Sequence, residues 1–100
     1  IQAPVANDDP FVNPVPGLSL MSYPNPFNPQ TTLRYNLKRT GELELTIYNV
    51  RGELVHKVRG FETEGSHSYL WNAENLPSGS YLVRLKSGSV TASLRVQLIK

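Results

Sequence analysis

The chain has no cysteine, so no disulfide can staple it in any compartment. It has two histidines, His56 and His67. They fall on separate segments with no His/Cys ligand spacing around them, which excludes the familiar metal-site patterns. No apolar run approaches the ~20 residues of a membrane span. Neither sign of charge dominates: ten Lys and Arg against eight Asp and Glu leave +2. So small a charge, spread along the chain, gives no footprint for nucleic acid. No segment keeps a helical apolar period over three turns. There is no phosphate-cradling glycine loop, and no nucleophile elbow around a serine. Glu62 and Glu64 share a loop and read as solvated carboxylates. Sequence reasoning therefore expects no enzyme, and no catalytic, metal-binding or cofactor-binding residue. No charged n-region and apolar h-region open the chain. It starts abruptly at Ile1-Gln2-Ala3-Pro4, which reads as a piece of something larger.

What is present is ordinary globular material, 39% hydrophobic and 18% charged over 100 residues. That length suits one domain burying roughly two-thirds of its unfolded surface. Residues 1–17 hold Pro4, Pro10, Pro14 and Pro16 beside Asn7, Asp8 and Asp9, a composition that predicts an extended Pro-rich linker. Three adjacent acceptors without a spaced loop are no calcium site.

From residue 18 the pattern changes to short strands. Leu18 to Ser22 is the first. Leu33, Tyr35 and Leu37 alternate with Thr32, Arg34 and Asn36; Leu43, Leu45 and Ile47 alternate with Glu44, Thr46 and Tyr48. A period of two marks half-buried strands. Asn49 to Glu53 predicts a hairpin loop with Gly52 left-handed, and Leu54 to Val58 returns as a strand. Gly60 to Gly65 reads as an acidic loop. His67, Tyr69 and Trp71 share a face of the next strand; Tyr81, Val83 and Leu85, then Val90 through Leu98, supply the last two. Taking Ser87-Gly88 as a two-residue turn sets Leu85 against Val90, Val83 against Ala92 and Tyr81 against Leu94. Residues 96–100 then overrun and must pair elsewhere. About seven short strands with regular turns predict an all-β, Ig-like antiparallel β-sandwich over residues 18–100.

One stretch stands apart: Tyr23-Pro24-Asn25-Pro26-Phe27-Asn28-Pro29. Proline fixes φ and removes a donor, so this cannot be helix or central strand. It predicts a stiff corner with two ring anchors that can pack onto the core, Tyr23 or Phe27 reaching it, while Asn25 and Asn28 bond to local backbone. Two surface readings compete with plain packing. An exposed His67, Tyr69 and Trp71 strip would suit sugar stacking, but its opposite face is polar, so burial of the aromatic face is favoured. Arg51-Gly52-Glu53 resembles an adhesion tripeptide without the aspartate, and a hairpin turn explains it.

Several segments, in order, carry a resemblance. They are the proline corner, Tyr48-Asn49-Val50-Arg51-Gly52-Glu53-Leu54-Val55, the run from Gly65 through His67 to Trp71, Gly79-Ser80-Tyr81-Leu82-Val83-Arg84-Leu85, and the closing Leu94 to Lys100. Together they resemble the C-terminal sorting domain of the bacterial type IX secretion system (type A family), which is related to the Ig-like domain of flagellar hook-capping proteins. Asn49 stands where the family has aspartate. The resemblance implies a non-catalytic C-terminal address on a larger secreted protein. Its partners would be the secretion machinery, a sortase-like protease and upstream domains of the same chain. The implied location is secreted or at the outer cell surface, via the periplasm. It also implies recognition through Gly79, Tyr81, Arg84, Arg95 and Lys100, with Tyr23, Pro24, Asn25, Pro26 and Phe27 as the structural motif. The alternative is an Ig-like spacer or carbohydrate-binding module of a multidomain extracellular enzyme.

Overall fold

The computed structural model describes residues 18–100; the linker expected over residues 1–17 lies outside the described residues. Seven strands follow one another: β1 (Leu18–Tyr23), β2 (Gln30–Leu37), β3 (Gly41–Tyr48), β4 (Leu54–Glu62), β5 (Gly65–Asn72), β6 (Gly79–Ser87) and β7 (Val90–Leu98). No helix occurs among the described residues. A three-stranded sheet, β1-β2-β5, faces a four-stranded sheet, β4-β3-β6-β7, with antiparallel pairing throughout both. The chain is an all-β sandwich.

Alternation dictates the core. Leu33, Tyr35 and Leu37 of β2 point inward against Leu43, Leu45 and Ile47 of β3; Tyr81, Val83 and Leu85 of β6 and Ala92, Leu94, Val96 and Leu98 of β7 complete it. Successive side chains of a strand point to opposite faces, so each apolar residue of these runs lands between the sheets. Trp71 is the largest ring inside. It lies 5.4 Å from Phe27 and edge-on to Tyr81 at 5.7 Å, measured between ring centroids. Offset and tilted ring pairs of this kind add to simple area burial.

The β3–β4 hairpin closes as expected. The Asn49 amide donates to the Glu53 carbonyl and the Gly52 amide to the Asn49 carbonyl, with Gly52 at φ 81°. Asn49 Oδ1 accepts from the amides of Arg51 and Glu53 at 2.9 and 3.0 Å. An asparagine carbonyl makes this turn as an aspartate would.

Three expectations need correction. First, β4 does not stop at Val58. It runs on through Gly60 and Phe61 to Glu62, paired with Leu43, Glu42 and Gly41, and only Thr63 and Glu64 separate it from β5. The polar composition suggested a loop, but the continuing β3 ladder supplies partners for every residue. Second, the β6–β7 register is displaced by two: Leu85 faces Ala92, Val83 faces Leu94, and Tyr81 faces Val96. The turn is Gly88-Ser89, with Gly88 at φ 60°, where a two-residue hairpin loop demands a left-handed first position. A shift of two keeps every side chain on its face, so alternation cannot detect it. Third, β7 therefore has no overrun. Gly79 pairs with Leu98, and on the other side of the strand's far end the backbone hydrogen bonds go to the proline corner.

Candidate functional site

The corner joins β1 to β2 and reaches across the open side of the sandwich to β7. All three of its X–Pro bonds are cis. Phe27 makes a parallel bridge to Leu98. Its amide donates to the Gln97 carbonyl and its carbonyl accepts from the Ile99 amide, each at 2.9 Å. Asn25 continues the ladder with its side chain. Nδ2 donates to the Arg95 carbonyl at 3.1 Å and Oδ1 accepts from the Gln97 amide at 3.0 Å. The outer edge of β7 from Arg95 to Ile99 is thus occupied by a short strand mimic, half backbone and half amide. Unpaired strand edges invite other chains, and this one is sealed.

Prolines make the mimic. Pro24 and Pro26 have no N–H to offer, so the Asn25 amide supplies the donor and acceptor that a peptide group otherwise would. Thr31, 1% exposed, anchors the corner from behind. Its hydroxyl donates to the Pro24 carbonyl at 2.8 Å and lies 2.6 Å from the Ser22 hydroxyl. The Ala73 amide donates to the Pro29 carbonyl, tying the corner's end to the start of the β5–β6 connection.

The expected motif residues divide. Phe27 is buried at 2% exposure, but Tyr23 is 76% exposed and is no core anchor. Leu18 and Leu20 point inward on β1, so Tyr23, at odd spacing from both, must point out. Asn25 bonds to backbone 70 and 72 residues away, not to local backbone as expected.

The recognition candidates also divide. Gly79 pairs with Leu98 at φ 155°, a backbone conformation that side-chain-bearing residues resist. Tyr81 is buried, and its hydroxyl donates to the Pro77 carbonyl at 2.6 Å. This is the i−4 backbone link of a tyrosine corner, and burial pushes the phenol's pKa up. These two residues shape the domain from inside. Arg84, Arg95 and Lys100 are exposed. Arg84 and Arg95 stand on the outer face of the four-stranded sheet, diagonal across the β6–β7 ladder. Lys100 sits apart from them. Its amide donates to Ser78 Oγ and its ammonium to the Glu74 carbonyl, which fastens it to the β5–β6 connection. The structure brings no three of these residues into one cleft.

The aromatic strip faces inward. Trp71 is 2% exposed, so it offers no stacking platform to a sugar. His56 Nε2 lies 2.8 Å from the Tyr69 hydroxyl, a contact joining β4 of one sheet to β5 of the other. Burial lowers the His56 pKa. His67 lies between the Glu62 carboxylate at 3.2 Å and the Thr63 carbonyl at 2.7 Å. Both histidines are thereby engaged in holding the side of the sandwich.

Sequence reasoning missed the Asn25 clamp on β7. A signal for it exists: Asn25 is flanked on both sides by proline and carries a donor and an acceptor where the Pro24 and Pro26 backbone offers no N–H.

A family profile described as "Secretion system C-terminal sorting domain" matches residues 21–100. No curated protein matches the chain. Among solved structures, the crystal structure of dimeric latent PorU from Porphyromonas gingivalis aligns with a TM-score of 0.67 at 17% identity. The alignment covers 82% of this chain and 9% of that one. Likeness at that identity bears on the fold alone, and the chain spans about a tenth of PorU's length.

Proposed function

The chain belongs to the C-terminal sorting domains of the type IX secretion system, and on that premise we propose how its surface is used. The domain is a sorting signal of a system whose substrates are secreted or surface-attached. Its family serves as an address recognised by secretion machinery and not as a catalyst. Among the described residues no helix is long and apolar enough to cross a membrane.

In our reading the folded sandwich itself is the address. It is displayed in the periplasm, at the end of a larger cargo protein, and read there through exposed cations. Arg84 and Arg95 on the outer sheet face, and Lys100 at the tied-down end, are the contacting side chains. Gly79 and Tyr81 act indirectly, by holding the β5–β6 connection and the start of β6 in shape. A sortase-like protease then cuts within residues 1–17, upstream of the sandwich. The domain performs no chemistry of its own and needs no cofactor, metal or nucleic acid.

The observation that supports this most is the family match over residues 21–100, from within β1 through β7. Its test is a reporter carrying residues 1–100 in a host with the type IX apparatus, compared with the Arg95→Ser, Lys100→Ser double variant. Both side chains are solvent-exposed and Lys100 gives up one exposed hydrogen bond to the Glu74 carbonyl, so each change should cost no more than ~1 kcal/mol, and melting temperatures are measured beside export. The native fusion is expected outside the cell and the double variant inside. Equal export of both would remove these cations from the recognised surface.

A further inference from the structure

We propose that the outer face of the four-stranded sheet is a docking surface for an acidic, leucine-bearing segment of a partner protein. The inference shares Arg84 with the sorting reading but is argued from the charge and apolar stripe of this face alone. Cations outnumber carboxylates on this face. Lys57 and Arg59 of β4 converge on Glu44 of β3 at 3.2 and 3.3 Å, and Glu44 titrates below the usual carboxylate range, chiefly through its hydrogen bond from Lys57. Glu42 stands two residues along on the same face of β3, so the excess positive charge lies on the neighbouring strands.

On the neighbouring β6, Arg84 and Lys86 are exposed and make no ion pair among the described residues. Arg84 stands between Thr46 and Ser93, and Lys86 between Glu44 and Thr91. The ordinary explanation for lysine and arginine on a sheet is protection of an open edge. It does not apply here, because β6 is an interior strand with β3 and β7 on either side.

The same face has an apolar stripe. Register places Tyr48 opposite both Leu54 and Leu82, so these three side chains run across β4, β3 and β6 beside the charged rows. Leu54 is 51% exposed and Leu82 42%. Arginine together with apolar anchors is the composition of protein interfaces. A polyphosphate or an anionic lipid headgroup would satisfy the cations but leave Leu54 and Leu82 in water. A partner segment that carries leucine and carboxylates on one face, as an extended Leu-x-Glu-x-Glu does, complements both features. In extended form its carboxylates repeat at about 6.5–7 Å, the two-residue spacing that also separates Arg84 from Lys86 on β6.

The test uses residues 1–100 and a fluorescein-labelled peptide, EELEELEE, with heparin and phosphatidylglycerol vesicles as non-protein anions. Saturable peptide binding that weakens as salt rises is expected. Arg84→Ser with Lys86→Ser should weaken it about ten-fold, and Leu82→Ser by a similar factor. Arg34→Ser, on the opposite sheet, should leave it unchanged. Arg84→Glu with Lys86→Glu should transfer the preference to KKLKKLKK, and the melting temperature of each variant checks that it is folded. Absence of peptide binding overturns the proposal. So does heparin or vesicle binding of equal strength that ignores Leu82. Neither result bears on export of the native reporter fusion, so the docking face and the sorting function stand or fall separately.

Discussion

Asn25 holds the end of β7 with two hydrogen bonds, one donated to Arg95 and one accepted from Gln97. Asn25→Ala removes both and should cost about 1–2 kcal/mol, at roughly 0.5–1.5 kcal/mol for each bond. Asn25→Asp should be worse, because it keeps the acceptor but sets a carboxylate against the Arg95 carbonyl. Urea unfolding of the three proteins checks the order: native most stable, then alanine, then aspartate. Phe27→Ala empties a site between Trp71 and Leu98 and should cost about 3–5 kcal/mol. For Tyr81→Phe only the bond to Pro77 is lost, about 1 kcal/mol. A Tyr81→Phe protein as unstable as Phe27→Ala would show that the hydroxyl does more than close the corner.

At the scale of elements, the sandwich is held at one side by His56 of β4 meeting Tyr69 of β5. Burial depresses the His56 pKa in the folded state, so the fold favours the neutral imidazole, whose Nε2 lies 2.8 Å from the Tyr69 hydroxyl. The unfolded chain binds the proton more readily. The stabilising term is therefore present above the ordinary value of 6.5 and is lost as pH falls through the lower folded value. Urea midpoints of the native protein should decline across that window more steeply than those of His56→Gln, with His67 present in both. Parallel declines would mean that His56 titrates alike in both states.

What could be read from the residues is legible at this scale too. Leu43, Leu45 and Ile47, or Tyr81, Val83 and Leu85, declare their inward face through alternation alone, because misplacing them by one exposes the whole set. Slips of two leave that set inside, so the turn at Gly88 had to decide the β6–β7 register. The extent of β4 was hidden because Arg59, Gly60 and Glu62 look like loop residues until β3 is placed beside them. The clamp of the corner on β7 joins positions 70 residues apart, which no local pattern encodes. Tyr23 misled through its chemistry: a ring suggests an anchor, but its strand parity turns it outward.

For the whole molecule, the family fixes what the sandwich is for, and the proline corner covers the outer edge of β7 from Arg95 to Ile99. Covering that stretch narrows the open edge that the last element would otherwise offer to other chains. We propose that the body begins at residue 18. Limited proteolysis should then trim residues 1–17, with their four prolines, and leave 18–100 intact; a resistant N-terminal segment would extend the domain.

The most direct measurement places the native reporter fusion in two matched hosts, one with a working type IX apparatus and one with that apparatus disabled. The account predicts reporter outside the first cell and retained within the second. Identical distribution in the two hosts would contradict it.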